Sequence, residues 1–304
     1  MSLVVRFSPD LGAWLVQSLD GGAAAGALVE TMVGQRMDRA VACAIVDSFV
    51  AARRANAPVP VDSITIDEAT ADYVYEPPIL RPGSRIETSD RVVRVAARAD
   101  RPVLAVLQDL LAGDECAALI ERARSRLAPS TIVDPTTGRD VVAEHRTSSG
   151  MFFRLGEDAL IARLDRRVSE VMNLPLENGE GFQVLHYPTG AVNTPHFDFL
   201  QPGNPANQAS IARSGQRVST LIAYLSEVEE GGETVFPAAG WSVSPHPGSA
   251  VYFEYCNRLG QVDPRSVHGS NTVLRGEKWV LTKWMRQQRF VPAGAAASEG
   301  MARS

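Results

Sequence analysis

Apolar residues near the start of the chain recur at the spacing of a helix face. Leu28, Val29, Met32 and Val33 make one stripe, and Met37, Val41, Ile45 and Phe49 another, so residues 11–55 are expected to form two or three amphipathic helices. The stretch ARRANAPVPVDS (52–63) breaks the pattern with proline, alanine and polar residues and reads as a linker. Short β-type runs flank PPILRPGS within 64–90, and 91–111 suggests strands. Asp114 is placed to cap a helix over ECAALIERARSRL, whose Cys116, Leu119, Ile120 and Ala123 form an apolar stripe. EDALIARLDRRVSEVMNL (157–174) is a further amphipathic helix, with Leu160, Ile161, Leu164, Val168 and Val171 on one side.

From Glu180 the pattern changes to short strands punctuated by Gly, Pro and Asn. FQVLHY, the HFD segment, RVSTLIAYL, ETVFP, SVSPH, SAVYFEY and KWVLTKWM are the candidates, and so many short strands imply a sandwich or barrel. Helices precede them and can cover one face, which makes the fold class α+β. The expected organisation is a helical region at 1–57, a linker with short strands at 58–95, a main domain at 96–290 and a small, polar, disordered tail at 291–304.

Composition narrows the function classes. Hydrophobic residues make up 45% of the 304, enough for a sizeable core, and the net charge of −5 gives no signal for nucleic acid or an anionic membrane. Between Met1 and Pro58 five arginines face five acidic residues, which disfavours a DNA-binding helix-turn-helix there. A docking or dimerisation module, serving a homodimer, is one reading of those helices; packing against the main domain is the plainer one. Three scattered cysteines without a CxxC argue for a reducing compartment. With neither a secretory signal pattern nor a long apolar run, the expected location is cytoplasmic and no membrane partner is expected.

The candidate chemistry lies in QVLHYPTGAVNTPHFD (183–198). If its end is extended, His196 and Asp198 project from the same face. A His and a carboxylate joined by a second His form the facial set that holds non-haem Fe(II) with one side open. Of the other four histidines, His145, His186 and His246 read as structural or exposed. His268 lies between two strands, next to a glycine that permits close backbone approach. Ten residues on comes Lys278, one of only two lysines. By period two, Lys278 shares a face with Val280, Thr282 and Trp284, and a lysine on an apolar face needs an anionic partner such as a bound dicarboxylate.

From Arg146 to Arg286 the sequence resembles the prolyl 4-hydroxylases of the Fe(II)/2-oxoglutarate dioxygenase superfamily. The matching pieces are RTSSGMF (146–152), ENGEGFQVLHY (177–187), PHFD (195–198), RVSTLIAYLSEVEEGGETVFP (217–237), DPRSVHGS (263–270) and GEKWVLTKW (276–284). The resemblance implies a double-stranded β-helix, or jelly roll, with His196, Asp198 and His268 as metal ligands and catalytic centre. It implies that Lys278 pairs with the distal carboxylate of 2-oxoglutarate, helped by Tyr187 and Thr234. Arg146, Ser148, Glu180, Gln183, Arg217 and Trp284 match positions lining a peptide groove; read by themselves, Arg217 and Glu180 could equally be a scaffold ion pair and Trp284 a core residue. The cofactors implied are Fe(II), 2-oxoglutarate and O2, with ascorbate in support, and the partner is a proline-containing peptide or protein. A carboxylate at Asp198 points to hydroxylation rather than halogenation. The sequence departs from the family after His268, where GSNTVLRG stands in place of a Cys-Pro pair common in its members, and QPGNPANQASIARSGQ (201–216) reads as a long polar loop. Hydroxylation of a free amino acid or other small substrate, an oxygen- or 2-oxoglutarate-responsive binding protein and a metal-free scaffold are the competing readings.

Overall fold

Ser2–Arg6 (β1) and Ser63–Asp67 (β2) pair in antiparallel register, and between them in sequence lie helices Pro9–Asp20 (α1), Ala25–Gly34 (α2) and Arg39–Arg54 (α3). The start of α1 follows from its sequence: Ser8 accepts the Leu11 N–H at 3.2 Å, and Pro9 occupies a first-turn position where no N–H is needed. The apolar stripes seen in the sequence close on one another, with Leu15, Leu28, Met32, Ile45 and Phe49 fully or nearly buried in a core of their own. The computed structural model describes residues 2–35, 37, 39–54, 58–67, 73–133, 140–142, 147–201 and 205–293. Its two compact units are Met1–Asp72 and Tyr73–Ser304.

The second unit runs through Arg85–Glu87 (β3), Val92–Asp100 (β4), Val103–Gln108 (β5), Gly113–Arg124 (α4), Ala128–Pro129 (β6), Thr131–Val133 (β7), Asp140–Val142 (β8), Ser149–Phe152 (β9) and Ala159–Met172 (α5). It continues with Gln183–Tyr187 (β10), Asn193–His196 (β11), Pro205–Ser214 (α6), Arg217–Tyr224 (β12), Glu230–Gly231 (β13), Thr234–Phe236 (β14) and Trp241–Val243 (β15). Ala250–Glu254 (β16), His268–Ser270 (β17), Val273–Arg275 (β18) and Lys278–Arg286 (β19) complete it. Nine strands form one antiparallel sheet in the order β3-β4-β5-β16-β12-β19-β10-β9-β6, and four form a smaller one, β11-β17-β14-β15. This is an α+β fold with a jelly-roll core.

Every residue of β19 is buried, as expected of a central strand covered on both faces. One face carries Trp279, Leu281, Lys283 and Met285; there the Lys283 ammonium meets Asp165 of α5 at 2.8 Å, both side chains almost wholly buried. The other face carries Lys278, Val280, Thr282 and Trp284. Cross-strand register fixes what lies beside them: Tyr187 opposite Lys278, Leu185 opposite Val280 and Gln183 opposite Thr282 on β10; Ile222 opposite Thr282 and Thr220 opposite Trp284 on β12. Residues paired in this way point to the same side of a sheet.

Several expectations change. Ser63–Asp67 is a paired strand of the first unit and β3 and β4 belong to the large sheet, so the division falls between Asp72 and Tyr73 and not across a linker at 58–95. Ala112, not Asp114, sits at the α4 N-cap; its N–H donates to Glu115 Oε2 at 2.9 Å, and Asp114 lies in the first turn. The polar stretch 201–216 contains helix α6, whose C-terminal end is tied down by Arg286 donating to the Gly215 and Ser210 carbonyls at 2.6 and 2.9 Å. Strand β11 stops at His196, so HFD is not a strand. Pro195 has no N–H to offer, and the pairing slips between Asn193 and His196, three residues of β11 spanning two of β17.

Candidate active site

The slip in β11 sets His196 directly opposite His268 on β17. The close approach needs the glycine beside it: a Cβ on Gly269 would lie 2.8 Å from the Asn193 carbonyl oxygen. Asp198, just past the strand, turns back between the two rings. Its Oδ1 lies 3.7 Å from His196 Nε2 and its Oδ2 3.5 Å from His268 Nε2. The three donor atoms lie within 4.8 Å of one another, a cluster able to hold a metal ion.

Each ring is fixed by a backbone carbonyl. His196 Nδ1 donates to Thr194 O at 2.9 Å and His268 Nδ1 to Ser266 O at 3.1 Å, which leaves the Nε2 lone pairs facing Asp198. The carbonyl under His268 belongs to a 3-10 turn, Pro264–Ser266, which the buried Asp263 opens by accepting the Arg265 N–H at 2.9 Å. Phe253 and Phe236 pack against the His268 ring, with centroids 4.5 and 5.8 Å away. Burial lowers the His268 pKa to about 4, against the pull of Asp198, so the ring is neutral at physiological pH. Burial pushes the Asp198 carboxyl up, and the opposing attraction of His268, His196 and Arg217 brings it down to about 2. Two imidazoles and one carboxylate are the donor set that suits Fe(II).

A cavity of about 620 Å³ opens over the cluster, bounded on one side by the inward face of β10, β12 and β19. Lys278 lies against its wall, 2% exposed, and donates to Ser270 Oγ at 2.8 Å. Burial lowers its pKa to about 7, with Glu233 alone pulling the other way. No salt bridge to Lys278 occurs among the described residues, so the ammonium suits an incoming carboxylate. The Tyr187 and Tyr224 rings flank it at 5.4 and 5.8 Å, and Tyr224 O–H donates to Thr234 Oγ1 at 2.8 Å. Tyr187 and Thr234 line the same cavity.

The expected groove residues divide. Gln183, Arg217 and Trp284 line the cavity. Arg217 lies over the Trp284 ring, 4.1 Å from its centroid. Glu180 and Ser148, expected in the groove, are not in the cavity wall. Glu180 lies behind it, accepting from Arg217 Nε and Nη2 at 2.7 and 2.8 Å and from Arg286 Nη1 at 3.0 Å: it is the scaffold half of an ion cluster. Ser148 is buried against Ser130, Oγ to Oγ at 3.0 Å. Arg146 and His145 lie outside the described residues. His186 is taken up by Glu277, 2.7 Å away, and stacks on Trp279, while His246 is exposed in its turn.

Four relevant residues carried no clear signal in the sequence. Ser270 could have been found by counting two along β17 from His268. Thr220, which stands behind Asp198, was hidden because a bulge between Arg217 and Ser219 interrupts the alternation of β12, and Tyr255, beside it, lies just past the end of β16. Phe152, at the cavity rim, carried no polar signal at all.

Residues 182–286 match the family described as the 2OG-Fe(II) oxygenase superfamily. The probable prolyl 4-hydroxylase 10 of Arabidopsis thaliana is 38% identical over 208 residues, 62% of this chain and 70% of that protein. This chain belongs to the prolyl 4-hydroxylase family. Prolyl 4-hydroxylase 1 of the same plant is 43% identical over 202 residues, again covering 62% of this chain and 70% of the relative. Among solved structures, the viral collagen prolyl hydroxylase of Paramecium Bursaria Chlorella virus-1, in its 2OG complex, aligns with a TM-score of 0.48 and 25% identity, over 60% of this chain and 95% of that one. As a member of the family the protein is a 2-oxoglutarate-dependent dioxygenase that uses Fe(II), 2-oxoglutarate and O2, and the His-Asp-His cluster and the buried Lys278 fit that requirement.

Proposed function

We propose that the protein hydroxylates prolyl residues in a peptide or protein, with His196, Asp198 and His268 as the iron ligands and Lys278, Tyr187 and Thr234 receiving 2-oxoglutarate. When bound, Fe(II), 2-oxoglutarate and O2 supply the oxidising chemistry, releasing succinate and CO2 as one oxygen atom enters a substrate C–H bond. The chain's own residues hold and exclude. His196, Asp198 and His268 would hold Fe(II) through three protein donors, a set that suits a metal which also takes co-substrate and dioxygen. Lys278 anchors the far carboxylate of 2-oxoglutarate by charge, with Ser270 holding the ammonium in place. The apolar inner face, Leu185, Ile222 and Val280, limits water around the reacting atoms.

One observation carries the peptide reading. Gln183 Oε1 and Trp284 Nε1 are buried side-chain atoms without a hydrogen-bond partner among the described residues, and both side chains line the cavity. They are diagonal neighbours, since Gln183 pairs with Thr282, two before Trp284 on the same face. A peptide backbone supplies what each lacks: a carbonyl for the indole N–H, and an N–H from a residue other than proline for the glutamine oxygen. The names of the relatives support proline as the target.

The test is incubation with Fe(II), 2-oxoglutarate, ascorbate and proline-containing peptides, read by mass spectrometry for one added oxygen and by succinate release. Peptide hydroxylation matched by succinate is expected. Oxygen added only to free amino acids or other small molecules would favour the small-substrate reading, and metal and 2-oxoglutarate binding without turnover would favour a sensor. Ascorbate belongs to the proposal as a supporting reductant. A cytoplasmic location does too, supported by three cysteines that form no disulfide.

A further inference from the structure

Asp198 is held by a chain of two buried hydroxyls. Its Oδ2 accepts from Thr220 Oγ1 at 2.7 Å, and Thr220 Oγ1 lies 3.0 Å from the Tyr255 hydroxyl. Thr220 and Tyr255 are both 0% exposed, so water does not compete for these bonds. A proton count fixes the direction. The carboxylate can only accept, so the single Thr220 proton is committed to it, and the contact with Tyr255 must be made with the tyrosine proton. The relay therefore runs Tyr255 O–H to Thr220 O–H to Asp198 Oδ2. Burial, reinforced by the charge of Asp198, raises the Tyr255 pKa well above its ordinary value, which keeps that first proton in place. Phe253 and Phe199 pack around the phenol ring at 5.8 and 6.3 Å. On the backbone side, Arg217 Nη1 donates to the Asp198 carbonyl at 3.3 Å.

This arrangement treats the two carboxylate oxygens differently. Oδ2 has a short, dry hydrogen bond, while Oδ1 has no hydrogen bond among the described residues and faces His196 Nε2. We propose that Thr220, oriented by Tyr255, is a positioning residue that makes Asp198 a one-oxygen metal ligand. A carboxylate that grips iron through both oxygens would take a position that the co-substrate or dioxygen needs. Holding Oδ2 with a fixed donor keeps that position open and fixes the plane of the carboxylate. The inference rests on the assignment of His196, Asp198 and His268 as the ligands, and it is independent of which substrate is hydroxylated.

The test uses Co(II) alone as the probe, read by titration and by its visible d–d absorption in the full-length protein, before and after adding 2-oxoglutarate. Thr220→Val keeps the side-chain shape and removes the donor. It is expected to weaken Co(II) binding by about 10–100-fold, as loss of a partner to a metal ligand does. It should also change the d–d bands and blunt their response to 2-oxoglutarate. Thr220→Ser restores the hydroxyl and should recover both readouts. Tyr255→Phe should move both in the same direction as Thr220→Val, by less. A folded Thr220→Val with wild-type Co(II) affinity and bands would overturn the inference. If that variant does not fold, Tyr255→Phe decides: unchanged affinity and bands there would also overturn it. A wild-type protein that takes up no Co(II) would refute the ligand assignment itself, whatever the variants do.

Discussion

Lys278 is nearly fully buried and its charge is sustained only weakly by the protein, so its protonation and 2-oxoglutarate binding should be linked. The free site holds a lysine with a pKa near 7, and a bound carboxylate raises it. Below that pH the ammonium is ready and affinity is flat with respect to this group. Above it the ligand must bring a proton back, so apparent affinity falls by up to ~tenfold per pH unit until the pKa of the complex is passed. Calorimetric titration of 2-oxoglutarate into Co(II)-loaded protein across this range should show that slope, and Lys278→Met should remove it. The same substitution should raise the 2-oxoglutarate requirement roughly thirtyfold or more, because truncating one side of a buried charge pair costs at least about 2 kcal/mol. Phe152 is 54% exposed at the cavity rim, with its ring centroid 6.5 Å from that of Trp284. Phe152→Ala should raise the peptide KM about fivefold, an aromatic contact of about 1 kcal/mol, and leave the 2-oxoglutarate requirement unchanged. Lys278 was legible in the sequence because a charge on an otherwise apolar strand face stands out. Phe152 was not, since an aromatic residue in a strand looks the same whether it faces core or solvent.

At the scale of elements, alternation along β10 and β19 told which residues share a face, and the cross-strand register seats Tyr187 against Lys278 and Gln183 against Thr282. The rule fails where the pairing slips. Strand β11 is too irregular for an i, i+2 argument, and what brings the ligands together is the approach of β11 to β17 at Gly269. Gly269→Ala would place a methyl 2.8 Å from the Asn193 oxygen, so the strands must part. The expected cost is about 1–3 kcal/mol in denaturant unfolding, accompanied by weaker Co(II) binding; a variant with both at wild-type levels would show that the contact is not limiting. The outer face of β19 makes the opposite point. Lys283, the second of the two lysines, was invisible as a structural residue because its partner Asp165 is distant in sequence. Lys283→Met strands Asp165, 1% exposed, without its cation and removes the 2.5 Å bond to the Glu180 carbonyl. Breaking a buried pair from one side costs about 3–5 kcal/mol. Lys283→Met/Asp165→Leu should recover part of that loss in the same unfolding assay, since no charge is then left unpaired.

At the scale of the whole chain, the Pro-, Ala- and polar-rich stretch 52–63 was the signal for dividing an N-terminal helical region from the rest, and the chain splits instead between Asp72 and Tyr73. That signal misplaced the boundary because a strand that closes a sheet with the far N-terminus looks, in sequence, like a piece of linker. Nothing in SITI names Ser2–Arg6 as its partner, and the β1–β2 pairing together with Ile64, buried in the first core, assigns residues 63–67 to the first unit. Each unit has a hydrophobic core of its own, one built from Leu15, Leu28, Met32, Ile45 and Phe49, the other running from Leu80 to Met285. Every described residue that meets the metal cluster or Lys278 belongs to the second unit. Residues 73–304 should therefore fold without the first unit, bind Co(II) with the affinity of the full chain and release succinate at a comparable rate with a short proline-containing peptide. If the N-terminal helices instead serve as a docking module for larger substrates, the truncated protein should keep its KM for short peptides and lose affinity only for a folded protein substrate. Loss of Co(II) binding in a truncated protein that is folded by circular dichroism would mean that the two cores are not independent and that the first unit supports the site itself.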